Sequence, residues 1–472
     1  MLFNSLAYLA FFPAVVGLFF ILPHRIRWML LLAASYYFYL SWKAEYLILI
    51  IFSTLVAYFS AIQMERSDQA STRKLYLSLS VITNLGVLFF FKYFNFVSQS
   101  VQSMLDQFTI SAETPYFDFL LPVGISFYTF QTLSYTIDIY RGQQKAEKHI
   151  GIFALYVSFF PQLVAGPIER PGNLIPQFKQ VQTLKYEQIS SGIKLMLWGF
   201  FKKLVVADRL ALYVNEIYGD PQNFSGLTLL LATILFSFQI YCDFSAYSDI
   251  AIGTARCMGY DLMENFRRPY FAPNIADFWR RWHISLSTWF RDYLYIPLGG
   301  NRVAVPRWHL NLMIVFVISG LWHGANWTFV LWGALHACYL VGSLVLTPIR
   351  ERFAAALPNA LNQILSIIFT YVLVLLAWVF FRAESIDDAF YAVGQIIKLQ
   401  GPLYYKGFFL IHLVYSFLAI GLLMAVEFYQ EWGEKSRLAK IQIPASLTYA
   451  SLIVAIVLLG VFDGGQFIYF QF

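Results

Sequence analysis

Apolar residues fill this chain in long runs separated by short polar interruptions. Uncharged stretches cover residues 1–23, 46–64, 119–137, 150–168, 221–242, 308–349, 353–381, 407–426 and 441–462, and shorter candidate spans lie at 28–42, 75–91 and 195–206. Crossing a hydrocarbon core takes roughly 20 apolar residues of helix, and the run 308–349 is long enough for two crossings. The pattern predicts an all-α polytopic membrane protein with roughly ten to twelve transmembrane helices, some elements being re-entrant or interfacial. No internal repeat or low-complexity linker divides the chain, so a single membrane domain over 1–472 is the economical organisation.

Composition agrees with that pattern. The 472 residues are 59% hydrophobic, 19% aromatic and only 13% charged, with a mean hydropathy of +0.59. The first run has no basic leader and is followed by His24-Arg25-Ile26-Arg27. It therefore reads as a retained span with its N-terminus outside and that loop in the cytoplasm. Arg66, Arg73 and Lys74, and later Lys435, Arg437 and Lys440, mark further cytoplasmic loops, which would leave Phe472 outside. A net charge of +6 matches the basic-loop bias of a multi-pass protein of a bacterial inner membrane, in contact with lipid, and does not call for nucleic acid. Cys242, Cys257 and Cys338 have neither metal-ligand nor redox spacing and read as packing residues.

The largest polar interruption, residues 256–307, holds eight arginines, no lysine and four acids, a balance of +4 against +6 for the whole chain. Within it, 275–295 has helical periodicity: Trp279, Trp282, Leu286, Trp289 or Phe290, and Tyr293 share one stripe, and His283, Ser287 and Arg291 another. This predicts an amphipathic interfacial or re-entrant helix, ended by Pro297-Leu298-Gly299-Gly300-Asn301. Guanidinium groups bind phosphate bidentately, so Arg280, Arg281 and Arg291, with Ser287, are candidates for docking a phosphorylated donor. Anchoring to lipid headgroups is the other reading of the same charge.

Of the seven histidines, His24 and His149 lie among loop charges, and His412 stands alone in an apolar run, where helix packing is the default. His309, His323 and His336 are spaced 14 and 13 residues apart, which on continuous helix is about 20 Å per interval, so no metal site is expected. His323 lies between two apolar segments, flanked by Trp322 and Gly324 with Gly320 one turn earlier. Such a setting allows close approach of a backbone or substrate, and Trp322, Gly324 and Asn326 are candidates for shaping it. It suits an intramembrane general base, and equally a core histidine bonded to a helix carbonyl.

Two stretches carry a more specific signal: Arg281-Trp282-His283-Ile284-Ser285-Leu286-Ser287-Thr288-Trp289-Phe290-Arg291-Asp292-Tyr293-Leu294-Tyr295-Ile296-Pro297-Leu298-Gly299-Gly300, and Gly320-Leu321-Trp322-His323-Gly324. Supporting words are Gly124 to Gln131, Phe160 to Ile168 and Tyr241 to Asp249. On these residues the chain resembles the membrane-bound O-acyltransferases, and among them the bacterial branch that O-acetylates polysaccharides such as alginate. The resemblance implies a helical bundle with a central tunnel, in which a cytoplasmic acyl donor meets an acceptor from the opposite face. It also implies that His323 is the catalytic histidine and His283 the second functional position.

The chemistry so implied is acyl transfer from a thioester, with acetyl-CoA as co-substrate and no tightly bound cofactor. His323 takes the proton of the attacking hydroxyl, and His283 orients it or stabilises the oxyanion. Replacing Arg280 and Arg281 is expected to raise the KM for donor. The segment 463–472 resembles the tail of an accessory peptide of the related D-alanylation system, which makes Tyr469 a candidate acyl relay; an aromatic interface anchor is the alternative. Expected partners are an extracytoplasmic transferase with an SGNH-esterase-like domain and polysaccharide synthase machinery. Peptidoglycan O-acetylation and teichoic acid D-alanylation keep the enzyme class and change the acceptor. A histidine-lined transporter or proton channel, and a structural scaffold for a synthase, are the rivals of another class.

Overall fold

The computed structural model describes residues 1–164, 166–405, 409–433, 444–462 and 467–468. Among these residues the secondary structure is helical throughout, with no strand. Among the described residues, seven helices are long and apolar enough to cross a membrane: Ala44–Arg66, Ala70–Gln107, Gly226–Cys257, Val305–His323, Trp327–Val345, Asn359–Arg382 and Leu410–Trp432. Leu6–Ile21 and Ser446–Leu459 are shorter apolar helices. The protein is therefore an all-α, multi-pass membrane protein.

Fewer runs become long helices than hydropathy suggests, for local reasons. The stretch 150–168 is split into Ile150–Ser158 and Phe160–Leu163. The stretch 195–206 passes into a π-helical turn, Phe201–Ala207, a wide turn common at functional sites. The stretch 308–349 yields two helices, as its length requires, with a break at Gly324. Cys242 and Cys257 are buried, while Cys338 is exposed on its helix rather than packed inside.

The chain divides into two compact units. The first comprises Met1–Leu195 and Ile250–Met263. Its helix Ile125–Tyr140 is buried over most of its length, and Thr132 on it bonds to the neighbouring helix. Asn84 Oδ1 accepts from Thr132 Oγ1 at 3.0 Å and from Ser53 Oγ, and Asn84 Nδ2 donates to Ser80 O at 2.8 Å. Such interhelical hydrogen bonds replace the hydrophobic drive that lipid cannot supply.

The second unit, Met196–Asp249 with Glu264–Phe472, carries both histidine words. Val305–His323 and Trp327–Val345 form an antiparallel hairpin, and Asn359–Arg382 packs on its second arm. A Cβ on Gly320 would overlap Phe329 O of the opposite arm, so this glycine lets the two backbones touch. The same unit holds a buried ion cluster in which Lys203 Nζ is 2.8 Å from Asp208 Oδ1 and 2.7 Å from Asp243 Oδ1; next to it Lys202 Nζ is 2.8 Å from Oδ2 of the half-buried Asp249. The pairing lets the long helix Gly226–Cys257 continue through Asp243 and Asp249, since buried charge is tolerated only when matched.

Candidate active site

The periodic stretch 275–295 is not one helix. Asn274 caps a first helix, Ile275–Arg281, by accepting from Asp277 N at 2.9 Å. His283 then adopts the left-handed conformation, φ 44° and ψ 55°, and a second helix, Ile284–Phe290, follows. The cause is a competing set of backbone bonds. Arg267 N donates to Arg281 O at 2.9 Å and Ile284 N to Asn265 O at 2.9 Å, so residues 265–267 take the partners a continuous helix would need. A non-glycine residue in this region is strained, and such strain concentrates at functional positions.

Asn265 also fixes the chemistry of His283. Its Oδ1 accepts from Ser285 N at 3.2 Å and from Ser285 Oγ at 2.9 Å, and its Nδ2 donates to Ser248 Oγ at 3.0 Å. A backbone N–H can only donate, so the atom facing His283 Nδ1 at 3.1 Å is the carbonyl oxygen. Nδ1 must then carry the hydrogen, and Nε2 is the accepting nitrogen of the ring. His283 is fully buried, and burial pushes its imidazole down to about 3, which keeps it neutral.

His323 ends its helix where Gly324 begins the turn. A Cβ on Gly324 would overlap the Phe329 ring. Asn326 caps the next helix by accepting from Thr328 N at 3.0 Å, and its Nδ2 donates to Glu384 O at 3.0 Å. The His323 ring is edge-on to Trp322 and Trp332 at 5.0 Å each and to Phe381 at 5.5 Å. It lies 6.4 Å, ring centre to ring centre, from His283. The two histidines, 40 residues apart in sequence, thus meet in an aromatic enclosure. His336 takes a packing position instead, accepting from Trp279 Nε1 at 3.3 Å.

Two cavities are lined in part by residues within one helical turn of the histidines in sequence. One, of 220 Å³, is apolar and lined by Trp279, Ser287, Phe290, Arg291, Tyr295 and Ser319 among others; Ser319 is one helical turn before His323. The other, of 620 Å³, is lined by Asn215, Gly324, Asn326, Phe381, Arg382 and Glu384 among others. The candidate arginines separate accordingly. Arg291, with Ser287, lines the first cavity. Arg281 is held by Asp277 at 2.7 Å and Glu431 at 2.9 Å, and Glu431 also pairs with Arg268 at 2.6 Å. Arg280 is exposed and lines neither cavity. Tyr469 lies outside the described residues. Its two predecessors are described and buried: Ile468 N donates to Asp243 Oδ2 at 2.8 Å, and the Phe467 ring lies 4.1 Å from Tyr247 and 5.8 Å from Phe244. Phe244 in turn meets His283 edge-on at 4.5 Å.

Sequence reading missed Asn265 and the Lys203 cluster. Asn265 stands in a loop without any pattern to mark it. Asp243 and Asp249, by contrast, sit in an otherwise apolar stretch, and buried acids there call for matching cations.

Two buried histidines brought together inside a helical multi-pass protein are side chains equipped to move a proton. Residues 149–383 match the membrane-bound O-acyltransferase family, and the chain belongs to that family; it is an acyltransferase. It is 40% identical over 393 residues to a protein of Azotobacter vinelandii named "Probable alginate O-acetylase AlgI", covering 82% of this chain and 76% of that one. The peptidoglycan O-acetyltransferase of Helicobacter pylori is 36% identical over 399 residues, covering 79% and 74%. The teichoic acid D-alanyltransferase of Bacillus subtilis is 26% identical over 282 residues, covering 56% and 69%.

Proposed function

We propose that this enzyme carries an acetyl group from cytoplasmic acetyl-CoA across a bacterial inner membrane for O-acetylation of an extracytoplasmic polysaccharide of the alginate or cellulose type. The observation that carries the reading is the meeting of His283 and His323, with one apolar and one more polar cavity lined by their neighbours in sequence. Arg302 and Arg307 flank the start of the hairpin's first arm, Arg350 and Arg352, with Glu351 between them, follow its second arm, and Arg291 lines the apolar cavity. The other end bears Glu384, Asp387 and Asp388 beside Arg382. Basic loops stay in the cytoplasm, so the apolar cavity receives the donor arm and the polar one opens toward the acceptor. Arg291 and Ser287 are the donor contacts of this reading; Arg281 holds the segment in place and Arg280 is left to headgroups or to the outer parts of the donor.

In the reaction the acceptor oxygen bonds to the acyl carbon as the carbon–sulfur bond breaks. His323 takes the hydroxyl proton and returns it to the departing sulfur. His283 offers an accepting Nε2 rather than an Nε2–H, which favours its role in orienting the hydroxyl over a role as oxyanion donor. The acceptor on this path is Tyr469, whose phenol hands the acetyl group to an extracytoplasmic SGNH-esterase-like transferase working beside a polysaccharide synthase. The contact of buried Phe467 with Phe244, whose ring in turn meets His283, supports it. Labelled acetyl-CoA supplied to purified protein at slow turnover should leave acetyl on Tyr469. Absence of acyl-Tyr469 together with full activity of Tyr469→Phe would remove the relay. The D-alanine and peptidoglycan readings are decided by mass spectrometry of the surface polymer with and without this protein.

A further inference from the structure

The acid–base cluster at Lys203 has a feature that the transfer reaction does not use. Two carboxylates, Asp208 and Asp243, share one ammonium, and all three are buried, with side chains 1–4% exposed. Asp243 spends Oδ1 on Lys203 and Oδ2 on the backbone N–H of Ile468, 225 residues away in sequence. A surplus buried carboxylate needs a donor for its second oxygen, and here the C-terminal segment supplies it. Phe467 adds the apolar half of the contact, its ring against Tyr247 and Phe244.

We propose that Asp243 is the anchor of the C-terminal segment, a positioning residue that holds Ile468 against the helix whose Phe244 packs on His283. The proposal rests on the relay reading for its catalytic consequence, but the anchoring itself does not depend on it. The helix Gly226–Cys257 thereby has two tasks at consecutive residues: Asp243 holds Ile468, and Phe244 packs on His283. Asp243 touches no reacting atom in this scheme and acts only through the segment it binds.

An isosteric change tests this. A carboxylate has an acceptor for each partner, whereas the carboxamide of Asp243→Asn has one acceptor and one donor and cannot serve Lys203 and Ile468 together. Lys203 keeps Asp208 as counter-ion, so the variant retains a balanced pair and should fold. Ile468→Pro removes the same hydrogen bond from the other side by deleting the donor. Docking is read directly in the full-length protein, by disulfide formation between Phe467→Cys and Tyr247→Cys in a background without native cysteines. We expect efficient cross-linking with Asp243 intact and about ten- to a hundredfold slower cross-linking with either Asp243→Asn or Ile468→Pro, the range set by loss of a hydrogen bond to a charged group. The double variant should be no slower than either single one. Unchanged cross-linking in both single variants overturns the anchor. Acyl-Tyr469 formation is measured in parallel: slowed cross-linking with no acyl-Tyr469 even in the unaltered protein leaves the anchor standing and removes the relay, while slowed cross-linking with correspondingly slowed acylation supports both.

Discussion

At the scale of single residues, the site is a division of labour set by surroundings. His323 stands among aromatic rings at a helix end, while His283 is tied through Nδ1 to Asn265. His323→Ala should abolish acyl transfer in a protein that still inserts and purifies normally, read as loss of label transfer from acetyl-CoA. The buried state of His283 makes a separate prediction about stability. Its imidazole falls from an ordinary 6.5 to about 3 in the folded protein, so between those values the unfolded chain binds a proton that the folded one does not. The stability present above pH 6.5 is lost as pH falls below it, by about 1.4 kcal/mol per pH unit. The thermal midpoint in detergent should therefore drop less steeply on acidification for His283→Gln than for the unaltered protein, and parallel curves would contradict the neutral assignment. The arginines differ in kind as well: Arg291→Ala should raise the KM for donor, whereas Arg281→Ala should chiefly lower the thermal midpoint by leaving Glu431 and Asp277 short of a partner. A KM that responds to Arg281→Ala and not to Arg291→Ala would reverse that assignment.

At the scale of elements, the sequence showed where the helices are better than where they stop. The hairpin 308–349 was legible because its length exceeds one crossing and its glycines fall at the break. The interruption at His283 was not, because the apolar stripe of 275–295 keeps its period across the break and the cause, the backbone pairing with 265–267, is a contact distant in sequence. The two histidine words were legible because polar residues in apolar surroundings are conspicuous, and Asn265 was not because an asparagine in a loop is ordinary. The Lys203 cluster joins residues 203, 208 and 243, a pairing no local pattern announces. Helix packing gives its own test. Gly320→Ala places a methyl group against Phe329 O and should cost about 1–3 kcal/mol, with reduced activity because His323 lies on the same helix. Gly342→Ala, on the second arm with open space around it, should be neutral or stabilising by up to about 1 kcal/mol. Equal effects on the thermal midpoint would argue against close backbone contact as the reason for Gly320.

At the scale of the molecule, the account depends on sidedness. The arginine-bearing end of the hairpin is assigned to the cytoplasm and the acid-bearing end to the opposite face. In a background without native cysteines, Arg302→Cys should react with an impermeant maleimide only from the cytoplasmic side, and Ala325→Cys only from the other. The reverse pattern would exchange the roles of the two cavities while leaving the histidine chemistry in place. The measurement that bears most directly on the whole is transfer in proteoliposomes of defined orientation, with labelled acetyl-CoA on the cytoplasmic side alone and the opposite side assayed for acetyl. The unaltered protein should deliver label across the bilayer, with thioester consumed in step, and His323→Ala should deliver none. Delivery that persists in His323→Ala, or ion flux that proceeds without any thioester, would contradict the account.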